Sequence, residues 1–167
     1  MSDISNIIAS LELAQIGWVV RDIEVAMKFL GTSIGIAGFP PPDRVRAQDI
    51  GLSYYGKPVE SEWLTSQTYN GGTFIELVQP LSGKNMFQDY LDKHPLGGVQ
   101  HIAYRLPIEG FDGIIADLQG QGHPIISEVD HPIARMTFFD TYEALGIVTE
   151  IMGITPAGWK AIEQMKK

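Results

Sequence analysis

The chain states one order of segments twice, and a duplicated unit dictates which residues become neighbours in space before any motif is considered. In the first copy, Leu11 to Val20 is rich in apolar and β-branched residues and reads as a mostly buried strand. Asp22 then caps a helix whose Ile23, Ala26, Met27 and Leu30 fall at helical spacing, with Gly31 ending it. The three consecutive prolines of "GIAGFPPPDR" fix backbone dihedrals and remove donors, so a long connecting loop is predicted there. Strands are predicted at 44–56, 59–69 and 73–79, separated by the turn signals "YYGKP" and "YNGGT". The order then restarts: a strand at 98–106, a helix at 110–120 carrying Phe111, Ile114, Ile115 and Leu118 on one face, and strands near 124–129, 133–140 and 146–152. Between the copies, Ser82 is placed to cap a short amphipathic helix with Phe87, Tyr90 and Leu91 on one face. A last helix starts at Thr155-Pro156 and buries Trp159 and Ile162.

The reading is therefore an α+β chain with two tandem βαβββ modules in one domain, 1–167. Module 1 covers about 11–80, a linker helix about 82–96, module 2 about 98–153 and a C-terminal helix about 155–166.

Superposing the copies pairs chemically matched residues. "LAQIGWVV" matches "VQHIAYRL" with Gln15 opposite His101, and "TFIELVQ" matches "GIVTEIM" with Glu76 opposite Glu150. Alternate residues of a strand share a face, so Gln15 has Gly17 as its next neighbour and His101 has Ala103, which leaves space beside each. Glu76 sits with Phe74 and Val78, and Glu150 with Val148 and Met152, so each carboxylate occupies an otherwise apolar face. An ionised carboxylate buried without a partner is costly, and a shared cation removes the cost for both. Taken singly, a histidine or glutamine in a strand is usually an ordinary core residue. Four metal-competent side chains at repeat-equivalent positions, Gln15, Glu76, His101 and Glu150, instead point to one divalent ion with water in the open positions.

Composition narrows the partners. Twenty acidic against twelve basic residues give a net charge of −8, which works against phosphate backbones and anionic lipid, so neither nucleic acid nor membrane is expected. With no cysteine, thiolate zinc sites and nucleophilic-cysteine chemistry are excluded. The N-terminal "MSDISNIIASLELAQIGWVV" lacks the basic region of a signal peptide, and a cytoplasmic protein is expected.

The segments "AQIGWVVRDIEVAMKFL", "GTFIELVQP", "GGVQHIAYRL" and "LGIVTEIM" resemble the vicinal oxygen chelate superfamily over about residues 11–153. That superfamily includes glyoxalase I, methylmalonyl-CoA epimerase, extradiol dioxygenases and the fosfomycin- and bleomycin-resistance proteins. The resemblance implies a half-open, eight-stranded barrel-like sheet around a metal, often completed in a homodimer. It implies Gln15, Glu76, His101 and Glu150 as ligands, a set like that of the glyoxalase I type, with zinc, nickel, cobalt or manganese favoured over iron. The run "FIELVQP" followed by "YLDKHPLGGVQHIAYRL" is more similar to the epimerase arrangement.

In both relatives a proton is removed from carbon next to a carbonyl, on a small carbonyl compound or thioester. Likeness to them implies Glu150 as base and Glu76 on the opposite face. A dioxygenase of the same fold is the alternative, set back because Gln15 stands where its first histidine would be. A non-catalytic small-molecule binder is another, for which four polar ligands would be unnecessary. Arg46, Tyr54, Trp63 and Arg135, on middle strands, are expected at the barrel mouth as substrate contacts. The stretch 38–46 is long for a connection, and reads as a lid or as a dimer contact.

Overall fold

The computed structural model describes residues 11–167, so the first ten residues of the N-terminal reading lie outside the described residues. In module 1, β1 (Glu12–Val19) is followed by α1 (Ile23–Ser33), β2 (Asp43–Arg46), a short hairpin of β3 (Ser53–Tyr54) and β4 (Lys57–Pro58), then β5 (Ser61–Asn70) and β6 (Thr73–Gly83). Helix α2 (Met86–Lys93) links to module 2, which runs β7 (Gly98–Pro107), α3 (Phe111–Gly120), β8 (Ile125–His131), β9 (Ala134–Thr141), α4 (Tyr142–Leu145) and β10 (Ile147–Ile154). Helix α5 (Pro156–Met165) closes the chain.

All the strands form one curled sheet in the order β2-β5-β6-β1-β7-β10-β9-β8-β3-β4. Its centre is the antiparallel pair β1 and β7, flanked symmetrically by β6 parallel to β1 and β10 parallel to β7. The duplication read from the sequence is thus a physical pseudo-symmetry about the seam between the modules.

Two expectations are corrected. The sheet has ten strands rather than eight, because the predicted strand 44–56 breaks into β2 and β3 and the short β4 is added after it. A tight turn at Ala47–Asp49 and left-handed backbone at Gly51 end β2, and the chain resumes as β3. Strand β3 leaves module 1 and pairs with β8 of module 2, Ser53 with Glu128 and Tyr54 with Ser127. Tyr55 and Gly56 both take positive φ at the tip of this hairpin, as a two-residue turn matching strand twist requires. The linker helix spans 86–93 rather than about 82–96, and its cap is Asn85, whose side chain accepts from the Phe87 and Gln88 amides at 3.0 and 2.9 Å. Ser82 is still in β6, paired with Glu62. Asp22 and Thr155 cap α1 and α5 as read, accepting from Val25 and Gly158. The 38–46 stretch lies along β5, where Ser66 donates to the Pro40 carbonyl, and just before it Thr68 donates to the Ala37 carbonyl.

Apolar residues from both modules, including Val19, Leu52, Trp63, Met86, Phe87, Ile126, Phe138 and Val148, fill one end of the half-barrel. Helices α1 and α3 cover the outer faces through Ile23 and Leu30 against Leu77, and through Phe111 and Ile114 against Ile151. Helix α5 packs Ile162 on Phe74, Ala134 and Ile154 at the other end. Among the described residues no helix is long and apolar enough to cross a membrane.

The two candidate caps are separable by experiment. Asn85→Ala leaves two amide donors unpaired in a buried position and is expected to cost about 1–2 kcal/mol in urea unfolding. Ser82→Ala is expected to change stability by less than about 0.5 kcal/mol.

Candidate functional site

Four adjacent strands at the centre of the sheet each contribute one polar side chain to its concave face. Gln15 comes from β1, Glu76 from β6, His101 from β7 and Glu150 from β10, and all but Glu76 are buried. Register explains the convergence: Gly17 is paired with His101 across the seam and with Glu76 on the parallel side, and Ala103 is paired with Gln15 and with Glu150 in the same way. Each small residue therefore stands between two of the polar ones.

The room beside Gly17 is taken by His101 itself. A Cβ on Gly17 would lie 1.9–2.2 Å from three ring atoms of the imidazole, so only glycine lets the ring rest on β1. The ring is walled by Phe87 and Phe138, with centroids 6.2 and 5.6 Å away. Its Nδ1 is 2.7 Å from Oε1 of the fully buried Gln100. An amide oxygen only accepts, so Nδ1 is the donor and Nε2 of the neutral ring carries a bare lone pair. Nε2 in turn faces Glu76 Oε2 at 3.3 Å and Glu150 Oε2 at 3.4 Å. Three acceptors meet there, and both His101 Nε2 and Glu150 Oε2 are buried without a hydrogen-bond partner.

Such a meeting is stable only with positive charge between the groups, a proton or a metal ion. The donor set fits a metal. Two ligands each 2.0–2.1 Å from one tetrahedral ion stand about 3.4 Å apart, close to the separations found here. Thr65 donates to Glu76 Oε1 at 3.0 Å, leaving Oε2 for the shared centre. The Gln15 amide donates through Nε2 to Gln67 Oε1 at 3.0 Å, which leaves its own Oε1 available as a ligand. Among the described residues no three His, Cys, Asp or Glu side chains are grouped so that they could hold a metal ion as they stand. What the chain holds is one histidine at ion-pair distance from two carboxylates, with an amide beside them on the same cavity.

That cavity, about 220 Å³, is lined by Gln15, Gln67, Glu76 and Glu150 on the polar side and by Trp63, Phe87 and Phe138 among its apolar walls. Of the four expected substrate contacts only Trp63 reaches it. Arg46 lies half exposed on the edge strand β2, paired with Glu62 at 3.2 Å. Arg135 turns to the outer surface, where it pairs with Asp112 at 2.8 Å and covers the Phe111 ring. Tyr54 bonds Asp89 and lines a separate cavity with Tyr55, Tyr90 and Tyr142. A residue's strand alone does not say which face it takes, nor which partner waits across the sheet. Thr65, Gln67 and Gln100 were not anticipated. Gln100 is adjacent to His101 in sequence, and strict alternation would have sent the two side chains to opposite faces.

Electrostatics follow from this crowding. Burial pushes the Glu150 carboxyl up to about 7, against the pull of the His101 charge and with the push of Glu76. For His101, burial acts downward, but the close approach of the Glu76 carboxylate and the charge of Glu150 outweigh it, so its pKa is raised.

The sequence over residues 14–139 matches the Glyoxalase/Bleomycin resistance protein/Dioxygenase superfamily, and the chain belongs to that family. Among curated proteins none matches. Of solved structures, a hypothetical protein of Bacillus halodurans has a TM-score of 0.62 and 22% identity, the match covering 86% of this chain and 94% of that one. Methylmalonyl-CoA epimerase from Mycobacterium tuberculosis gives 0.59 and 21%, covering 87% and 89%. A variant of the Streptomyces coelicolor methylmalonyl-CoA epimerase in complex with 2-nitronate-propionyl-CoA gives 0.60 and 20%, covering 86% and 94%. At these identities the likeness is one of fold.

Two measurements test the site's construction. Gly17→Ala displaces the imidazole from its seat and is expected to cost about 1–3 kcal/mol or more in urea unfolding, as overpacking does. Glu150 and His101 both bind protons more tightly folded than unfolded. Stability is therefore gained at low pH and lost as pH rises, from about 4.5 through about 7 for Glu150 and from about 6.5 upward for His101. Chelator-treated Glu150→Gln should lose less stability than the unaltered chain between about pH 5 and about pH 8, read from urea midpoints across that range.

Proposed function

We propose that the chain is a metal-dependent isomerase, epimerase or lyase that moves a proton at the carbon next to a carbonyl. The observation that carries this reading is the buried meeting of the bare His101 nitrogen with the Glu76 and Glu150 oxygens at 3.3–3.4 Å, beside a cavity sized for a small acyl group. Gln15, Glu76, His101 and Glu150 would hold a divalent ion, zinc, nickel, cobalt or manganese before iron. Such an ion, when bound, supplies Lewis-acid stabilisation of negative charge developing on the carbonyl oxygen.

The residues' own parts follow from their surroundings. Glu150 would act as the base when it is released from the ion-holding set: with no ion in the site its buried carboxyl is pushed up to about 7, the range a general base needs. Its carboxylate takes the proton from carbon and becomes the carboxylic acid. Glu76 stands on the other side of His101, held by Thr65. Starting as the carboxylic acid and ending as the carboxylate, it would give its proton to the opposite face in an epimerase, or to the neighbouring carbon in an isomerase. Gln100 keeps the His101 tautomer that leaves Nε2 bare. Trp63, Phe87 and Phe138 exclude water around the reacting carbon. A carbonyl compound or acyl thioester is the substrate class, in keeping with the acyl-CoA compound bound in the Streptomyces epimerase structure.

Solvent-deuterium incorporation into a panel of 2-oxo hemithioacetals and 2-methyl acyl-CoA thioesters tests the reading, with metal content measured on the same preparations. Exchange is expected on one class, falling by about 10²–10⁴-fold in Glu150→Gln while metal stays bound. Full exchange in that variant would assign the proton transfer elsewhere. Redox-active iron with oxygen consumption would indicate the dioxygenase instead.

A further inference from the structure

A second opening borders the first. A pocket of about 60 Å³ at the α5 end of the half-barrel is lined by Arg105, Gln15, Gln67 and Met152 with Phe74, Ile162 and other apolar residues. Gln15, Gln67 and Met152 also line the larger cavity beside Glu150, so the two openings share a wall. Arg105 follows His101 and Ala103 on the same face of β7, and four residues of strand set it about 13 Å along from the histidine.

Its surroundings leave the guanidinium short of partners. The Arg105 side chain is 9% exposed, yet its ion-pair partner is Glu12, 61% exposed, at 3.2 Å from Nε. An exposed carboxylate held by one contact is worth little and gives way readily. The guanidinium carbon lies over the Trp159 ring of α5, 5.3 Å from its centroid. Glu163, also on α5, is exposed and paired with Lys166, and it feels the Arg105 charge without contacting it. Beside the arginine, Gln67 has its oxygen occupied by Gln15, while its Nε2 faces only the Met165 sulfur at 3.7 Å, a weak acceptor. Two donor groups with spare hydrogens therefore converge on a small hole whose other walls, Gln15 apart, are apolar.

We infer that this pocket takes a carboxylate of the substrate, held by Arg105 and Gln67 while the substrate's carbonyl lies in the Glu76–His101–Glu150 cavity. A planar carboxylate matches the arginine fork, and about 60 Å³ admits a group of a few heavy atoms. The inference rests on the proton-transfer reading and narrows it to carbonyl compounds or thioesters with a carboxylate at the far end.

The full chain, chelator-treated, is titrated with glutarate and with its dimethyl ester while the Trp159 indole resonance is followed by 15N NMR. Glutarate is expected to shift that resonance saturably and the diester is not. Arg105→Met should weaken glutarate by about 10- to 100-fold, with Arg105→Lys in between. Equal binding of the diester, no saturable shift, or unchanged glutarate affinity in Arg105→Met each overturns the inference. The ester comparison on the unaltered chain stands by itself if the variant does not fold. Acetohydroxamate binding to zinc-loaded protein reports on the metal reading alone. Its loss with glutarate binding intact would remove that reading and leave the carboxylate pocket in place.

Discussion

A histidine nitrogen with its lone pair bare, facing two carboxylate oxygens in a buried place, is an arrangement that a folded chain tolerates only with a positive charge at its centre. Much of the local structure answers to it. Gly17 surrenders its side chain so the imidazole can lie on β1. Gln100 is buried to hold the far ring nitrogen as a donor, and Thr65 occupies the second oxygen of Glu76. Burial is the main push on the Glu150 carboxyl, and the nearby charge of Glu76 adds to it. Sites of this kind cost stability, which the rest of the molecule must offset by apolar burial.

The half-barrel is layered to do so. One end is plugged by apolar residues from both modules, the polar strands lie across the middle, and α5 packs over the other end. The β3–β4 hairpin binds the layers together, because a piece of module 1 completes the sheet edge of module 2. Residues just before it, Ile50 and Leu52, line the cavity beside the two glutamates. The cavity thus lies between an apolar floor and the smaller pocket lined by Arg105 and Gln67.

Pseudo-symmetry also accounts for the division of labour. The two modules place Gln15 and His101, and Glu76 and Glu150, at equivalent strand positions, but their environments differ. Glu76 lies on the open side, 20% exposed, and Glu150 is sealed in at 3%. Two carboxylates with one origin are thereby given different surroundings, and burial pushes the sealed one, Glu150, upward.

By itself the sequence determined the duplicated βαβββ order, the αβ boundaries of module 2, the caps Asp22 and Thr155, and the four polar positions at the centre. These are legible because hydrophobic periodicity, turn residues and capping are local, and because a repeat turns distant positions into equivalent ones. Tertiary structure alone decided that the strand predicted at 44–56 would break and cross to the other module, and that Asn85 rather than Ser82 would cap the linker helix. It also decided which arginine faces inward. Arg46 and Arg135 meet Glu62 and Asp112 outside the cavity, while Arg105 meets Trp159 and an exposed glutamate beside it. An arginine's long apolar stem lets its charge travel several ångströms, so its partner is chosen by whatever the fold brings within reach, and no local pattern encodes that choice.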